Sequence, residues 1–304
     1  SAALLILVGA VAHAAWNVLV KRQRASGPVF FAIAAGSAAA LAAPFAIPLL
    51  IATQPAPAWV GWAAGSAVLH TTYMLVLQRA YRLADVGVVY PLARGTGPLL
   101  SVLGAVLLLG ERPALVTLTG AALVVAGVVV IGTAPARGGA RAPRPERPRG
   151  IVGHAEGAAR LRRGVLLGSV VGVCIAAYTL WDAAAVTTAG LTPLGHFWAS
   201  LVGQTVLLAA LALRARPAPR ILIGEARRHL PVAVAVGVLS TGSYVAILTA
   251  YGLAPVSVVA PARELSVVLI ALAGWLVFVS RTPPVGSPAR LSFSAALSFC
   301  IAAK

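Results

Sequence analysis

The sequence predicts an all-α integral membrane fold of about ten transmembrane helices, built as two inverted five-helix repeats with an atypical last helix. Three observations carry this. Of 304 residues, 60% are apolar and only 10% are charged, and mean hydropathy is +0.92. A soluble domain needs roughly 25% charged residues to cover its surface, so the solvent here is mostly lipid. The apolar residues fall in runs long enough to cross ~30 Å of hydrocarbon. One stretch also recurs: Ala80-Tyr81-Arg82-Leu83-Ala84-Asp85-Val86-Gly87-Val88-Val89-Tyr90-Pro91 aligns without gaps with Ala250-Tyr251-Gly252-Leu253-Ala254-Pro255-Val256-Ser257-Val258-Val259-Ala260-Pro261.

The first run, 2–20, is followed by Lys21, Arg22 and Arg24 and has no basic residue before it. A secretory leader has the opposite order, so this run reads as a membrane helix. Runs at 29–51, 58–79, 85–109 and 114–133 complete the first five. A second set covers 164–186, 192–213, 230–250, 255–280 and 287–303. Prolines at 28, 57, 113, 193, 231 and 255 fall near the expected helix starts, where a missing N–H costs little. No run sustains a two-residue alternation, which argues against a barrel.

Between the sets lies a polar gap with Arg137, Arg141, Arg144, Arg147, Arg149, Arg160, Arg162 and Arg163 among Pro and Gly. Such a composition cannot bury a core. It divides the chain into a first repeat at 1–133, a basic linker at 134–163, and a second repeat at 164–304 with a divergent end. Ala14-Ala15-Trp16-Asn17 also matches Ala176-Ala177-Tyr178-Thr179 across the two repeats.

The net charge of +17 would suggest a nucleic-acid partner in a soluble chain. Here nearly all cations sit between apolar runs, as topology signals do, so no nucleic-acid partner is expected. With the N-terminus outside, Lys21, Arg22, Arg24, Arg79, Arg82, the linker arginines, Arg214, Arg216, Arg220, Arg227, Arg228, Arg281 and Arg290 lie inside. Arg112 and Lys304 alone lie in outer segments. The first loop of half one is basic and its counterpart near 187–191 is uncharged; the second loops, 52–57 and 214–228, show the reverse. Equivalent segments therefore face opposite sides, which makes the repeats inverted. The Ala- and Arg-rich bias points to a GC-rich bacterial genome, and the apolar helical spans to its cytoplasmic membrane as the expected location.

Several motifs add a family likeness. They are Ala14-Ala15-Trp16-Asn17 with Lys21, then Tyr81-Arg82-Leu83-Ala84, then Pro98-Leu99-Leu100 through Leu109-Gly110-Glu111-Arg112, then Ala177-Tyr178-Thr179-Leu180-Trp181-Asp182. Over roughly 1–278 the chain resembles the drug/metabolite transporter superfamily, specifically its EamA-type ten-helix members. The resemblance implies a secondary carrier of small metabolites, often an exporter, without ATP hydrolysis and without a bound cofactor. The repeat of Gly110-Glu111-Arg112-Pro113 expected after Phe278 is replaced by Val279-Ser280-Arg281-Thr282-Pro283-Pro284, and the run at 287–303 is serine-containing. The tenth helix is thus degraded or replaced.

Ionisable groups inside spans are costly unless paired or facing a cavity. Arg94 and Glu264, with Arg263 beside the latter, stand at corresponding depths of the two repeats, and Tyr90 lies one turn before Arg94. Two readings stand. They line a cavity, with Arg94 taking an anionic group and Glu264 a cation or proton; or they form one salt bridge holding the halves together. His13 and Asn17 share a helix face beside Trp16, either to bind substrate or to bond neighbouring helices, while Lys21 snorkels to the cytoplasm. His70, Tyr73, Tyr178 and Tyr244 are further cavity candidates. Asp182, near the outer end of its helix, reads as solvated, and His196 and Trp198 read as interfacial anchors. Pro91 and Pro261, at matched positions, should kink their helices.

There is no Walker A, HExxH or GxSxG pattern, and Cys174 and Cys300 stand alone. The chain is read as no enzyme and as holding no cofactor or metal. The expected partners are a small-molecule substrate, with proton coupling open, and the lipid bilayer; a non-transporting membrane subunit or sensor and an intramembrane enzyme are the alternatives.

Overall fold

Among the described residues every regular element is a helix. The computed structural model describes residues 1–23, 27–133, 151–214 and 219–267. The elements are α1 (Ala2–Gln23), α2 (Pro28–Thr53), α3 (Trp59–Leu83), α4 (Val86–Leu108), α5 (Leu115–Thr133), α6 (Ile151–Thr187), α7 (Pro193–Arg214), α8 (Pro219–Tyr251) and α9 (Val256–Ala262). Among the described residues, six segments are long and apolar enough to cross a membrane: α2, α3, α4, Ala159–Thr187 of α6, α7, and Arg227–Tyr251 of α8. Ala2–Asn17 and Leu115–Gly127 are shorter apolar stretches. Phe45, Leu107, Leu108, Leu115 and Val116 point outward. In water such a surface would drive aggregation; in lipid it is the solvated face.

Two starts differ from the expected ones. Helix α6 begins at Ile151, inside the stretch assigned to the linker, and α8 begins at Pro219, so Pro231 lies within α8 rather than near its start. Both extensions carry Ala, Leu, Arg and Glu, good helix formers that prolong a helix past its apolar part. The tenth helix and the rest of the expected ninth lie outside the described residues.

The halves share one interior. The most extensive packing joins α4 to α6, α1 to α8, α2 to α7 and α8, and α3 to α6 and α7, each across the two halves. Lipid offers no hydrophobic drive between helices, so close approach through small residues supplies the attraction. Gly164, Gly168 and Gly172 of α6 face Val88, Leu92 and Thr96 of α4, and Gly104 of α4 receives Leu180 of α6. The indices rise together, so α4 and α6 run parallel. A Cβ at Gly168 would stand 2.9 Å from that of Leu92.

The matched segments fold alike. Asp85 and Pro255 are the caps, and Val86 and Val256 open their helices. Asp85 caps α4 itself, accepting from the Gly87 N–H at 2.8 Å. Pro255 has no such side chain. Glu111 replaces it from the other half, accepting from the N–H groups of Val256 and Ser257 at 2.6 and 2.9 Å. Gly110, at φ +69°, makes the left-handed turn that ends α4, with the Glu111 N–H returning to the Ala105 carbonyl. That turn delivers Glu111 to α9.

Candidate functional site

Two buried polar clusters meet in the interior. The first forms where α9 breaks. Pro261 has no N–H to continue the helix, and α9 ends at Ala262. The Glu264 N–H bonds to the Pro261 carbonyl at three-residue spacing, and helical geometry resumes at 265–267. The break points Glu264, 0% exposed, at Arg94 of α4. The Arg94 guanidinium donates to both Glu264 carboxylate oxygens at 3.3 and 3.2 Å through one nitrogen. Its other terminal nitrogen lies 3.0 Å from Nε2 of His13 in α1. Arg263 Nε stands 3.8 Å from the same carboxylate. Two guanidiniums thus share one carboxylate. Each also lies over an aromatic face: Arg94 over Tyr90 at 5.6 Å and Arg263 over Tyr178 at 5.9 Å, where the ring quadrupole favours a cation.

The second cluster centres on Asp182 of α6, 0% exposed. Its Oδ2 lies 2.8 Å from Nε2 of His70 (α3) and accepts from the Tyr244 hydroxyl (α8) at 2.6 Å. Its Oδ1 lies 3.0 Å from Nε2 of His196 (α7). Four helices therefore converge on one carboxylate. Tyr178 joins the clusters: its ring stacks on His70 at 4.3 Å and takes Tyr73 edge-on at 5.3 Å. Phe197 and Tyr244 complete the aromatic surround, 4.6 Å apart.

The structure brings His13, Tyr90, Arg94, Arg263 and Glu264 together, with Tyr73 and Tyr178 between them and the Asp182 cluster. Trp16 sits edge-on to His13 at 5.0 Å but packs mainly among apolar side chains. The Asn17 amide donates to the His13 carbonyl of its own helix at 2.8 Å. Pro91 stays within a continuous α4, whereas Pro261 stands at the end of α9, so the matched prolines do not act alike. His70 and Tyr244 serve Asp182.

Two expectations are corrected. Asp182 is not solvated, and His196, 1% exposed, is no interfacial anchor. Both lie close to helix ends, but the α2–α3 turn and α8 cover them. Trp198 donates to the Ala39 carbonyl at 2.9 Å and fastens α7 to α2. The sequence held one signal for this cluster: apart from Asp85, which opens its run, only Asp182 and Glu264 among the acidic residues fall inside apolar runs, and an intramembrane acid needs a partner. Among the described residues no group of three His, Cys, Asp or Glu is placed to hold a metal ion.

Residues 1–133 match the EamA-like transporter family. Over that stretch, a little under half of the chain, it is similar to EamA-like transporters of the drug/metabolite transporter superfamily. With six described helices long and apolar enough to cross a membrane, the chain is a multi-pass membrane protein. Eleven solved chains match it. One, described only as the crystal structure of a protein, is 20% identical, covers 99% of this chain and 96% of its own, and has a TM-score of 0.54. At that identity it speaks for the fold alone. No curated protein matches the chain.

Proposed function

We propose that this EamA-like chain is a secondary carrier, an exporter or exchanger, that moves a small metabolite with an anionic group across the cytoplasmic membrane by alternating access between two inverted halves. The observation that carries the reading is the Arg94–Glu264 pair. It joins α4 of one half to the break after α9 of the other, with Arg263 as a second guanidinium on the same carboxylate. Interrupted helices near a repeat interface are where carriers of this kind place substrate. A surplus guanidinium there favours an anion.

The packing supports the exchange of halves. If α1 to α4 correspond to α6 to α9, then the pair α1 with α8 becomes α6 with α3, and α2 with α8 becomes α7 with α3. All four pairings occur. The pairs α2 with α7 and α4 with α9 map onto themselves and also occur. Rocking one half against the other would open and reform the Arg94–Glu264 pair. The energy source is a proton gradient or the solute's own gradient.

The test compares metabolites inside and outside cells carrying the intact chain, Glu264→Gln, Arg94→Gln, the double variant, or no chain. A solute shifted by the intact chain alone is the expected result. Each single variant should lose about 3 kcal/mol of stability by leaving a buried charge unpaired, and the double should recover much of it. A double variant that is folded yet shifts no solute assigns the pair to substrate. One that transports normally makes the pair a fastener between halves.

A further inference from the structure

Two guanidiniums stand at Glu264, and they are not equally engaged. Arg94 gives one terminal nitrogen to the carboxylate and the other to His13. Arg263 approaches the same carboxylate only through Nε, at 3.8 Å, which is too long for a hydrogen bond. Its N–H donors find no acceptor among the described residues, although the side chain is only 7% accessible. The Tyr178 ring lies 5.9 Å from the guanidinium carbon, which offsets part of the cost of burying the charge but supplies no oxygen. Buried donors left unbonded are costly, and a well-packed apolar residue would serve stability better here. A neighbour is in the same condition. The Tyr251 hydroxyl of α8 is buried without a partner and lies within electrostatic range of Arg263.

We infer that the Arg263 guanidinium is the anion-binding group of this site, and that it takes the carboxylate of a singly charged organic acid that carries no ammonium group. That such an acid is transported rests on the carrier reading above; that Arg263 binds it does not. The two terminal nitrogens of a guanidinium match the two oxygens of a carboxylate in one plane. The charges in direct contact, Arg94, Arg263 and Glu264, leave one positive charge over, which one carboxylate cancels. A second negative charge on the solute would face Glu264 and, across Tyr178, Asp182, so a dianion fits less well. An ammonium finds no open acid: Glu264 already faces both guanidiniums, and Asp182 already has His70, His196 and Tyr244. An amino acid would therefore bury its ammonium unpaired. The Tyr251 hydroxyl is the further donor beside Arg263 for the same carboxylate. In this closed arrangement the surface at Arg263 admits little beyond water, so a solute reaches it when the halves part.

The probes are acetate, butyrate, benzoate and 3-phenylpropionate, with their amides. Glycine and phenylalanine add an ammonium to the first and last, and sulfate is the dianion. Each is added at fixed ionic strength to the full chain in detergent micelles. The unfolding midpoint is read for the wild type and for Arg263→Gln, because a ligand of the folded state raises it. Without any probe, Arg263→Gln should unfold no earlier than the wild type, since the Arg94–Glu264 pair stays intact and an unbonded buried charge is gone. An earlier midpoint makes Arg263 a structural partner of Glu264 and overturns the site. With probes, at least one monocarboxylate should raise the wild-type midpoint and its amide should not. Arg263→Gln should bind that acid more weakly by about tenfold or more. No response to any of the monocarboxylates, an equal response in both proteins, or a larger response to the matching amino acid or to sulfate overturns the assignment. The metabolite comparison in cells, repeated with Arg263→Gln, separates this from the carrier reading. If a monocarboxylate raises the midpoint through Arg263 but no solute moves with any form of the chain, the carrier reading fails and the site stands. If a solute moves and it is a zwitterion or a dianion, or moves as well with Arg263→Gln, the carrier reading stands and the assignment fails.

Discussion

Helix α8 packs between α1 and α2 as α3 packs between α6 and α7, yet the two places are chemically unlike. At α3, α6 and α7 the interior is polar: Asp182 with His70 and His196, and Ser66 with Ser200 at 2.9 Å and Gln204 behind it at 3.1 Å. At α1, α2 and α8 it is Phe30, Ala34, Ala233 and Val236, closed in by Trp16, Val20 and Phe31. His229 stands edge-on to Phe30 at 6.3 Å, with no carboxylate bonded to it. The same helix pairing is thus kept by small-residue packing in both places, and only one centres on a buried carboxylate. One architecture holds an apolar cluster in one place and a buried carboxylate in the other.

The largest effect should come from breaking the polar place. Asp182→Ala leaves two imidazoles and a phenol without their shared acceptor and should cost about 3–5 kcal/mol, read as a fall in the unfolding midpoint in detergent micelles. An unchanged midpoint would mean that the carboxylate is not holding four helices together. The apolar place should yield less. Phe30→Ala removes a ring that is 4% exposed, but lipid tails solvate apolar surface as well as a core does. About 1–3 kcal/mol is expected, below the range for a soluble core, and a larger loss would show Phe30 doing more than packing. The smallest change concerns the matched caps. Glu111→Ala and Asp85→Ala should each cost about 1 kcal/mol. Amide exchange should quicken at Val256 and Ser257 for the first and at Gly87 for the second; exchange spreading across both segments would undo the separation of the two caps.

Much of the site was legible from residue type and register. Arg94 and Glu264 stand out because charge in an apolar run needs a partner, and the repeated segment sets them at corresponding depths. The Asp182 cluster was not legible, because Asp182 and His196 lie near helix ends, where a charge or an imidazole is ordinarily wet. Nothing local distinguishes a wet end from one covered by another helix. The role of Glu111 was hidden for the same reason, since the amides it caps are 145 and 146 residues away.

The sequence by itself determined that the chain spans a membrane, roughly where the apolar part of each described helix runs, and that two segments repeat. Hydropathy and the cost of an unbonded backbone in lipid are local quantities, summed along the chain. Which polar groups share a site was decided only by the tertiary structure. Helix pairing through small residues set α6 against α4 and closed α3, α7 and α8 over Asp182, and burial belongs to neighbours in space, not in sequence.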